Sequence, residues 1–357
     1  MTQDELPAGQ PVAPSTDRVR EPSTPPAKIV DVARAAGVSP ATVSRTLNNP
    51  SLVDPATVEK VRTAAARLGY RPNAVARSLR RQGTKVWALV ITDINNPFYT
   101  ALARGVEDVA AEAGFSVILC NTDEDRDREH RYLDVAVQER VAGVVLAPRA
   151  PDADITSLER ANIPVVVVDR QLDRPADFVT AASFDGAVMA TEHLIKEGWQ
   201  RPACIIRPAD TDTSEQRRLG YEDVMRRNHR RPIICEIPFH GERGPDPIRR
   251  LLQSRRPPDS MLTIDSPLAL RVLTVVRERG LRVGRDIGLI SFDDAAWAPI
   301  LESPMSVVAQ PAYEIGATAA RMLAQRPISM DHQSPQRVIL RTTLIVRSSS
   351  LRTAADE

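Results

Sequence analysis

The chain has 357 residues, 42% of them hydrophobic and 4% aromatic, and a formal net charge of +1. That length allows two or three domains, and no apolar run is long enough to cross a bilayer, so no membrane partner is expected. The N-terminus lacks the pattern of a secretory signal, which predicts a cytoplasmic protein. Three widely spaced cysteines, Cys120, Cys204 and Cys235, predict buried reduced thiols rather than a disulfide or a metal site.

Charge is distributed unevenly along the chain. Residues 28–85 contain eleven Lys and Arg against three acidic residues, whereas the part from residue 86 onward has a net charge of −5. The local excess of +8 attracts phosphate groups, which predicts a nucleic-acid partner for this segment. Residues 1–27 carry six prolines among polar residues, and this composition predicts a disordered tail.

A helix-turn-helix headpiece is predicted for residues 28–71. Apolar residues recur at helical spacing before Gly37 and again after it, which indicates two short helices joined by a tight turn. Ser39 stands at an N-cap position, and Pro40 occupies the first helical position. The second helix therefore begins with free backbone N–H groups, which suits a recognition helix that enters a major groove.

Short β-rich runs alternate with amphipathic helical runs from Lys85 onward, which is typical of parallel βαβ units. A first series ends with PVVVVDR, and a second begins with ACIIRPA and takes PAYEIGATAARMLAQR and VILRTTLIVR as its last elements. We therefore predict two doubly wound lobes in a core spanning residues 83–349, with residues 350–357 as a tail. No G-x-G-x-x-G, G-x-x-x-x-G-K-[ST] or G-x-S-x-G motif follows these strands, which argues against nucleotide-dependent and hydrolase activities.

A cleft between two such lobes is the expected ligand site, because doubly wound sheets bind ligands beyond the carboxyl ends of their strands. The candidate residues directly follow the predicted strands and are Asp93 to Tyr99, Arg149, Asp169, Thr211, Thr213, Phe239, Asp265 and Asp293. An enzyme would need a catalytic constellation, but the five histidines are scattered without a shared motif. A second alternative is a small-molecule binding protein without a regulatory role, and the basic headpiece argues against it.

Four strings carry a family resemblance: VARAAGVSPATVSRTLNNP, YRPNAVARSLR, DINNPFY and SFDDAAWA, which occur in this order. Over residues 28 to about 349 the chain resembles the lactose-repressor and galactose-repressor (LacI/GalR) family of bacterial transcription regulators. The resemblance implies an α/β protein with a small all-α headpiece, a hinge helix and a periplasmic-binding-protein-like core of two doubly wound lobes. It also implies a homodimeric regulator, most often a repressor, that binds a pseudopalindromic operator in double-stranded DNA under the control of a small effector. No cofactor or metal is implied.

The resemblance places base-reading side chains at Pro40, Ala41 and Arg45, and the Arg45 guanidinium suits the two acceptors of guanine. Thr42, Ser44 and Asn48 resemble phosphate contacts, although Ser44 and Asn48 could instead cap or solvate helix ends. The complete set of predicted DNA-binding residues is Ser39, Pro40, Ala41, Thr42, Ser44, Arg45, Asn48, Asn73, Ala76, Arg77 and Leu79.

A hinge is predicted over residues 72–82. Pro72 to Leu79 resembles the family's hinge helix, which orders on the operator and packs against its dimer mate in the minor groove. Leu79 matches the leucine that wedges into the central base step, and the alternative is a core leucine that anchors a linker. So short a helix is unstable in isolation, so we expect it to form only with DNA and a partner. The C-terminus lacks leucine heptads, which favours a dimer over a tetramer.

The resemblance also assigns effector contacts. Phe98 and Tyr99 match ligand-stacking aromatics, although one of them could pack the lobe interface instead. Arg217 matches an arginine that grips the effector, and Asp293 matches an effector-binding carboxylate, whereas Asp169 could simply cap a turn. The complete set of predicted effector-binding residues is Phe98, Tyr99, Arg149, Asp169, Thr213, Arg217, Phe239, Asp265 and Asp293.

Three positions depart from the family pattern. Ala181 and Ala182 stand where many members carry an Asp-Asn pair, and Ile264 stands where many carry Asn. These changes delete groups that bond sugar hydroxyls, whereas Arg149 would suit an anion, unless it is a solvated loop arginine. The sequence therefore predicts a smaller, flatter or charged effector, either a sugar derivative or a charged metabolite, and weak binding of a plain hexose.

Overall fold

The computed structural model describes residues 27–70, 84–208, 212–238, 246–326 and 334–353. The chain divides into two compact units, one ending at Gln82 and the other beginning at Gly83. The predicted hinge lies outside the described residues, as do six of the predicted site residues: Asn73, Ala76, Arg77, Leu79, Thr211 and Phe239.

The first unit contains three described α-helices, α1 (Ile29–Ala36), α2 (Pro40–Asn48) and α3 (Pro55–Arg67). Their small core is made of Val32, Ala33, Val43, Val61, Ala64 and Ala65. Gly37 ends α1 with φ 67°, a left-handed conformation that glycine adopts without a steric penalty. The helix, glycine turn and second helix predicted from the sequence are confirmed.

The second unit contains two lobes, each built on a six-stranded sheet. In lobe 1 all neighbouring strands are parallel, in the order β11-β5-β4-β3-β1-β2. Its strands are β1 (Val86–Ile91), β2 (Ser116–Asn121), β3 (Gly143–Leu146), β4 (Val165–Val168), β5 (Asp177–Ala181) and β11 (Arg337–Leu340). Its helices are α4 (Pro97–Glu112), α5 (Arg126–Gln138), α6 (Thr156–Arg160) and α11 (Ala312–Gln325).

The side chains of β1 point alternately to the two faces of the sheet, which explains why helices cover both faces. Trp87 and Leu89 belong to the apolar cluster that includes residues of α4 and α11. Ala88 and Val90 belong to a second cluster, with residues of α5 and α6. Successive side chains of a strand point to opposite faces, so an apolar run such as VWALVI needs cover on both sides.

Lobe 2 repeats the arrangement in the order β12-β10-β9-β8-β6-β7, with β12 antiparallel to β10. Its strands are β6 (Pro202–Ile206), β7 (Ile234–Glu236), β8 (Ser260–Thr263), β9 (Gly288–Phe292), β10 (Ser306–Ala309) and β12 (Thr343–Ile345). Its helices are α7 (Ser183–Lys196), α8 (Asp212–Arg227), α9 (Pro247–Leu252) and α10 (Ser266–Glu278).

The chain crosses between the lobes three times. Ala182 joins β5 to α7, Gln310 and Pro311 join β10 to α11, and Arg341 and Thr342 join β11 to β12. The assignment of the last predicted helix and strand to the second lobe is therefore wrong. Helix α11 packs on α4 of lobe 1, and the single run VILRTTLIVR divides into edge strands of two different sheets.

Helix α11 approaches α4 through glycines. A Cβ atom on Gly316 would lie 2.0 Å from the Leu102 carbonyl oxygen, and one on Gly105 would lie 2.1 Å from the Tyr313 carbonyl oxygen. Backbones this close leave no room for a side chain, so both positions require glycine. This contact ties the second crossing firmly to lobe 1.

The C-terminal boundary predicted at residue 349 is too early. Ser350 is fully buried, its hydroxyl lies 2.8 Å from His193 Nε2, and its carbonyl accepts a 2.7 Å bond from Trp199 Nε1. The Thr353 N–H donates to the Gly284 carbonyl at 3.0 Å.

The three cysteines are buried and unpaired, as predicted. Among the helices described, none combines the length and apolar character needed to span a bilayer.

Candidate nucleic-acid interface and effector cleft

Helix α2 is capped as the sequence predicted. Ser39 is its N-cap, and the Ser39 Oγ accepts the Thr42 N–H at 3.1 Å and lies 2.9 Å from Thr42 Oγ1. Pro40 follows at the first helical position, where its missing N–H has no helical partner to lose. The start of α2 is thus held in one conformation by side chains of its own first turn.

Helix α2 has an inner and an outer face. Val43 and Thr46 are 0% and 2% exposed, whereas Pro40, Ala41 and Arg45 are exposed to solvent. This leaves two small residues and one long cation on the open side, a surface that a major groove can accommodate. Ser44 is half-buried, and Asn48 is the last residue of the helix.

An open-mouthed cavity of about 520 Å³ lies between the two lobes of the core. Its lining is polar and charged on both sides, with two aromatic rings from the first turn of α4. Lobe 1 contributes Thr92, Asp93, Asn96, Phe98, Tyr99, Glu124, Asp169 and Arg170, and lobe 2 and the second crossing contribute Arg207, Thr213, Ser214, Arg217, Ile264, Asp265, Pro267 and Gln310. The predicted position of the cleft, at the carboxyl ends of both sheets, matches this cavity.

The lobe 1 wall is a connected network around Asp169. The Tyr99 hydroxyl donates to Asp169 Oδ2 at 2.8 Å, and burial raises the pKa of Tyr99 well above its ordinary value, so the phenol stays a neutral donor. Arg170 binds both oxygens of Glu124, at 2.8 and 2.6 Å, with both side chains under 10% exposed. Bidentate arginine–carboxylate pairs of this kind fix the orientation of both partners.

The lobe 2 wall is centred on Arg217 of α8, which is 6% exposed. Its guanidinium lies 4.2 Å from the centre of the Phe292 ring and donates to Ser183 Oγ at 3.3 Å and to the Ile264 carbonyl. Arg207 pairs with Asp265 at 3.2 Å, and Asp265 also accepts the Leu268 N–H as the cap of α10. Stacking and hydrogen bonds hold both arginines at the cleft.

Asp293 borders a neighbouring cavity of about 700 Å³ rather than the first one. Phe98 and Gln310 line both cavities and lie at the boundary between them. Gln310 Nε2 donates to Asp293 Oδ1 at 2.6 Å. Burial raises the pKa of Asp293 to about 6, although the nearby Arg217 charge and the Gln310 hydrogen bond act in the opposite direction.

A hydrogen bond between described residues joins the two lobes at the rim of the cleft. The Gln171 N–H, just after β4, donates to Asp212 Oδ1 at the start of α8, at 3.0 Å. Burial raises the pKa of Asp212, partly offset by this bond. This single hydrogen bond crosses the opening of the cleft through which a ligand would enter.

Most of the predicted effector residues meet in the structure. Phe98, Tyr99, Asp169, Thr213, Arg217 and Asp265 line the first cavity. Arg149 is not among the described residues that line it. The Arg149 N–H donates to Glu129 Oε2 at 2.7 Å, and the Arg149 carbonyl accepts from Arg170 at 3.1 Å, so its backbone supports the lobe 1 wall from behind.

Among the cleft residues that sequence reasoning missed, four make the side-chain pairs described above: Glu124, Arg170, Arg207 and Gln310. Arg207 directly follows β6, so the rule that selected the other candidates could have found it. Arg170 follows Asp169, a predicted candidate, and could have been found by the same rule. Gln310 directly follows β10, so the same rule applies to it, but its partner Arg217 is 93 residues away. Glu124 carries no such signal, because its partner is 46 residues away.

A chain with a capped, open-faced recognition helix and a polar cleft between two doubly wound lobes belongs to the class of ligand-responsive DNA-binding regulators. The model of bacterial regulatory proteins of the lacI family matches residues 28–73, and a periplasmic binding protein-like domain matches residues 191–350. Both matches agree with the fold described above.

Curated relatives and solved structures extend the likeness over about 90% of the chain. The ribose operon repressor of Escherichia coli K12 is 34% identical over 333 residues, covering 91% of this chain and 100% of that protein. The transcriptional repressor PurR of Aliivibrio fischeri MJ11 is 31% identical over 335 residues, covering 91% and 98%. The lac repressor dimer bound to operator and the anti-inducer ONPF has a TM-score of 0.79 at 26% identity, covering 91% and 99%. The regulator CelR in complex with cellobiose has a TM-score of 0.67 at 30% identity, covering 90% and 99%.

The chain belongs to the LacI family of bacterial transcriptional regulators. It is a DNA-binding regulator of transcription and not an enzyme. The fold class and the family resemblance predicted from the sequence are confirmed.

Proposed function

We propose that the protein is a homodimeric repressor that binds a pseudopalindromic operator through α2 and changes its operator affinity when a small effector occupies the core cleft. The observation that carries the DNA-binding part is the outer face of α2, where Arg45 extends beside two small residues. The lac repressor relative is a dimer on its operator, which supports the dimeric arrangement. The membership in a family of DNA-binding regulators supports a cytoplasmic location.

The charge balance of the cleft favours a neutral, polyhydroxylated effector. Arg170 and Arg207 are each paired with a carboxylate, and the four lining acids, Asp93, Glu124, Asp169 and Asp265, outnumber the three lining arginines. An anion would meet this acidic excess, whereas hydroxyl groups can both donate to carboxylates and accept from guanidinium groups. We therefore favour a neutral sugar over the charged effector that the sequence suggested. Relatives named ribose operon repressor support the choice.

A ligand screen tests the effector class. Thermal unfolding of the full chain is followed with D-ribose, cellobiose, D-ribose 5-phosphate and a simple carboxylate, since a ligand that binds only the folded state raises its stability. We expect a neutral sugar to stabilise and to shift operator binding in fluorescence anisotropy. Stabilisation by the phosphate or carboxylate alone would overturn the neutral-sugar proposal and leave the regulator function standing.

Arg45→Ala tests the reading role of α2. On an operator selected in vitro from random duplexes, the loss of a bidentate guanine contact should cost about 1–3 kcal/mol and relax preference at one symmetric base pair. Arg62→Ala removes the same charge from the exposed side of α3 and is the matched control. It should leave sequence preference unchanged. If Arg45→Ala weakened binding equally on every sequence, Arg45 would be a phosphate contact.

A further inference from the structure

The amino-terminal edge of the lobe 2 sheet is strongly basic. We define the amino-edge surface as the segments 198–201, 226–233 and 253–259, which directly precede β6, β7 and β8. It lies at the opposite end of these strands from the effector cleft. The segments carry one acidic residue, Asp259, against seven arginines: Arg201, Arg226, Arg227, Arg230, Arg231, Arg255 and Arg256. This local excess contrasts with the net charge of −5 of the chain from residue 86 onward.

The three segments form one continuous surface. Strand β6 pairs in parallel with both β7 and β8, so the residues before these strands lie side by side. The Arg201 guanidinium donates to the Arg256 carbonyl, and Asp259 accepts the Arg201 backbone N–H at 2.8 Å. Arg230 Nη1 donates to the Trp199 carbonyl at 2.6 Å. These bonds tie the first segment to both of the others and hold the positive charges close together.

The arginines differ in how far their charge is balanced. Arg226 and Arg227 both pair with Asp223 of α8, at 3.8 and 2.8 Å, which offsets part of their charge. Three others are exposed and form no ion pair with an acidic side chain in the part of the chain that the structure describes: Arg231, Arg255 and Arg256. Like charges held together repel each other, so a polyanion that binds them lowers the energy of this surface.

The side chains around the arginines indicate which polyanion fits. The large apolar side chains that are exposed among the described residues all lie outside the amino-edge surface, whereas protein partners usually bind around an apolar or aromatic centre. Single-stranded nucleic acid needs exposed aromatic rings for stacking, but Trp199, the aromatic residue of this surface, is 1% exposed. Arginines without apolar or aromatic neighbours suit the phosphate backbone of a duplex.

We propose that the amino-edge surface of lobe 2 is a second DNA-contact surface, which binds the phosphate backbone of a duplex independently of its sequence. This inference goes beyond the proposed function, in which α2 provides the DNA contact. A dimer on its operator then holds a second DNA segment through its core. The acidic balance of the rest of the core confines this contact to the amino-edge surface.

The proposal predicts a particular dependence on salt. Asp223 and Asp259 offset two of the seven arginine charges, so we expect about five phosphate contacts. Each contact releases counterions, and about five of them give a slope of about −4.5 in log affinity against log salt concentration. Removal of three arginines should make the slope shallower by about 2.7.

The experiment uses the full-length protein saturated with an unlabelled operator selected in vitro, so that α2 is occupied. A fluorescent duplex of random sequence is then titrated by anisotropy at several salt concentrations, and a labelled operator reports the α2 contact separately. The test variant combines Arg231→Ser, Arg255→Ser and Arg256→Ser. The matched control removes three exposed arginines of lobe 1: Arg131→Ser, Arg140→Ser and Arg160→Ser.

We expect the wild type and the lobe 1 control to bind the random duplex, and the test variant to bind it weakly with the shallower slope. Unchanged operator binding by the test variant would show that it is folded. Equal binding of the random duplex by the two triple variants, or no binding by the operator-saturated wild type, would overturn the proposal and leave the operator contact of α2 standing. Tighter binding of poly-L-glutamate than of the duplex, at equal charge, would indicate an acidic protein partner and would also overturn it.

Discussion

The two walls of the cleft share a backbone arrangement. Strands β4 and β9 are each followed directly by an aspartate in the left-handed region, Asp169 with φ 64° and Asp293 with φ 71°. Each aspartate N–H donates at 3.0 Å to a carbonyl of the next strand, that of Val179 in lobe 1 and that of Val308 in lobe 2. Aspartate tolerates this conformation better than most residues, and it places a carboxyl group at the same point of each lobe.

The partners of these two carboxyl groups differ. Asp169 accepts from a buried phenol and lies beside the two-pronged pair of Arg170 and Glu124. Asp293 accepts from the neutral amide of Gln310, a side chain that also binds Arg217. One position of a repeated fold thus joins an ionic network in lobe 1 and a neutral amide in lobe 2.

The largest expected effect comes from breaking the lobe 1 pair. Arg170→Met leaves Glu124 buried without its cation and should lower the free energy of unfolding by about 3–5 kcal/mol. Arg207→Met is the matched lobe 2 variant. Its side chain and that of Asp265 are 13% and 14% exposed, and Asp265 keeps its Leu268 donor, so the loss should be smaller, about 1–3 kcal/mol. Urea unfolding measures both, and equal losses would contradict the distinction between the walls.

The next effect is a pH dependence located in lobe 2. The folded-state pKa of Asp293 is raised to about 6, so its contribution to stability is fully present below about pH 4 and is lost as pH rises toward 6. Asp293→Asn cannot ionise, and relative to the wild type it should gain about 3 kcal/mol between pH 4 and pH 7. Unfolding curves across this range provide the measurement. A constant difference between the two proteins would refute the raised pKa.

The smallest effect concerns the phenol of lobe 1. Tyr99→Phe removes the bond to Asp169 but keeps the ring against Phe98, whose centre lies 5.1 Å away. The loss of one buried hydrogen bond should cost about 1 kcal/mol, a fall of roughly 2–4 °C in the melting temperature of a unit this large. A loss as large as that of Arg170→Met would place the centre of the lobe 1 network at Tyr99 instead.

Local signals explain which parts the sequence could reveal. The turn at Gly37 and the start of α2 at Ser39 and Pro40 depend on neighbours within four residues, so the pattern itself contains them. The division of VILRTTLIVR between two sheets cannot be read from neighbouring residues, because β-propensity does not specify which sheet a strand joins. The position of Gln310 directly after β10 is a local signal, but its hydrogen-bond partners are distant in sequence. Its meaning depends on Arg217 and Asp293, which only the fold brings to it.

The three crossings have a consequence for biosynthesis. Lobe 1 receives its last strand from Arg337–Leu340, and lobe 2 receives its own from Thr343–Ile345, immediately afterwards. A ribosome must therefore release nearly the whole chain before either sheet is complete, and the two lobes gain their last strands together instead of one after the other. A nascent chain that stops shortly before Arg337 leaves β5 and β10 as longer, unpaired edge strands, which exposes it to aggregation.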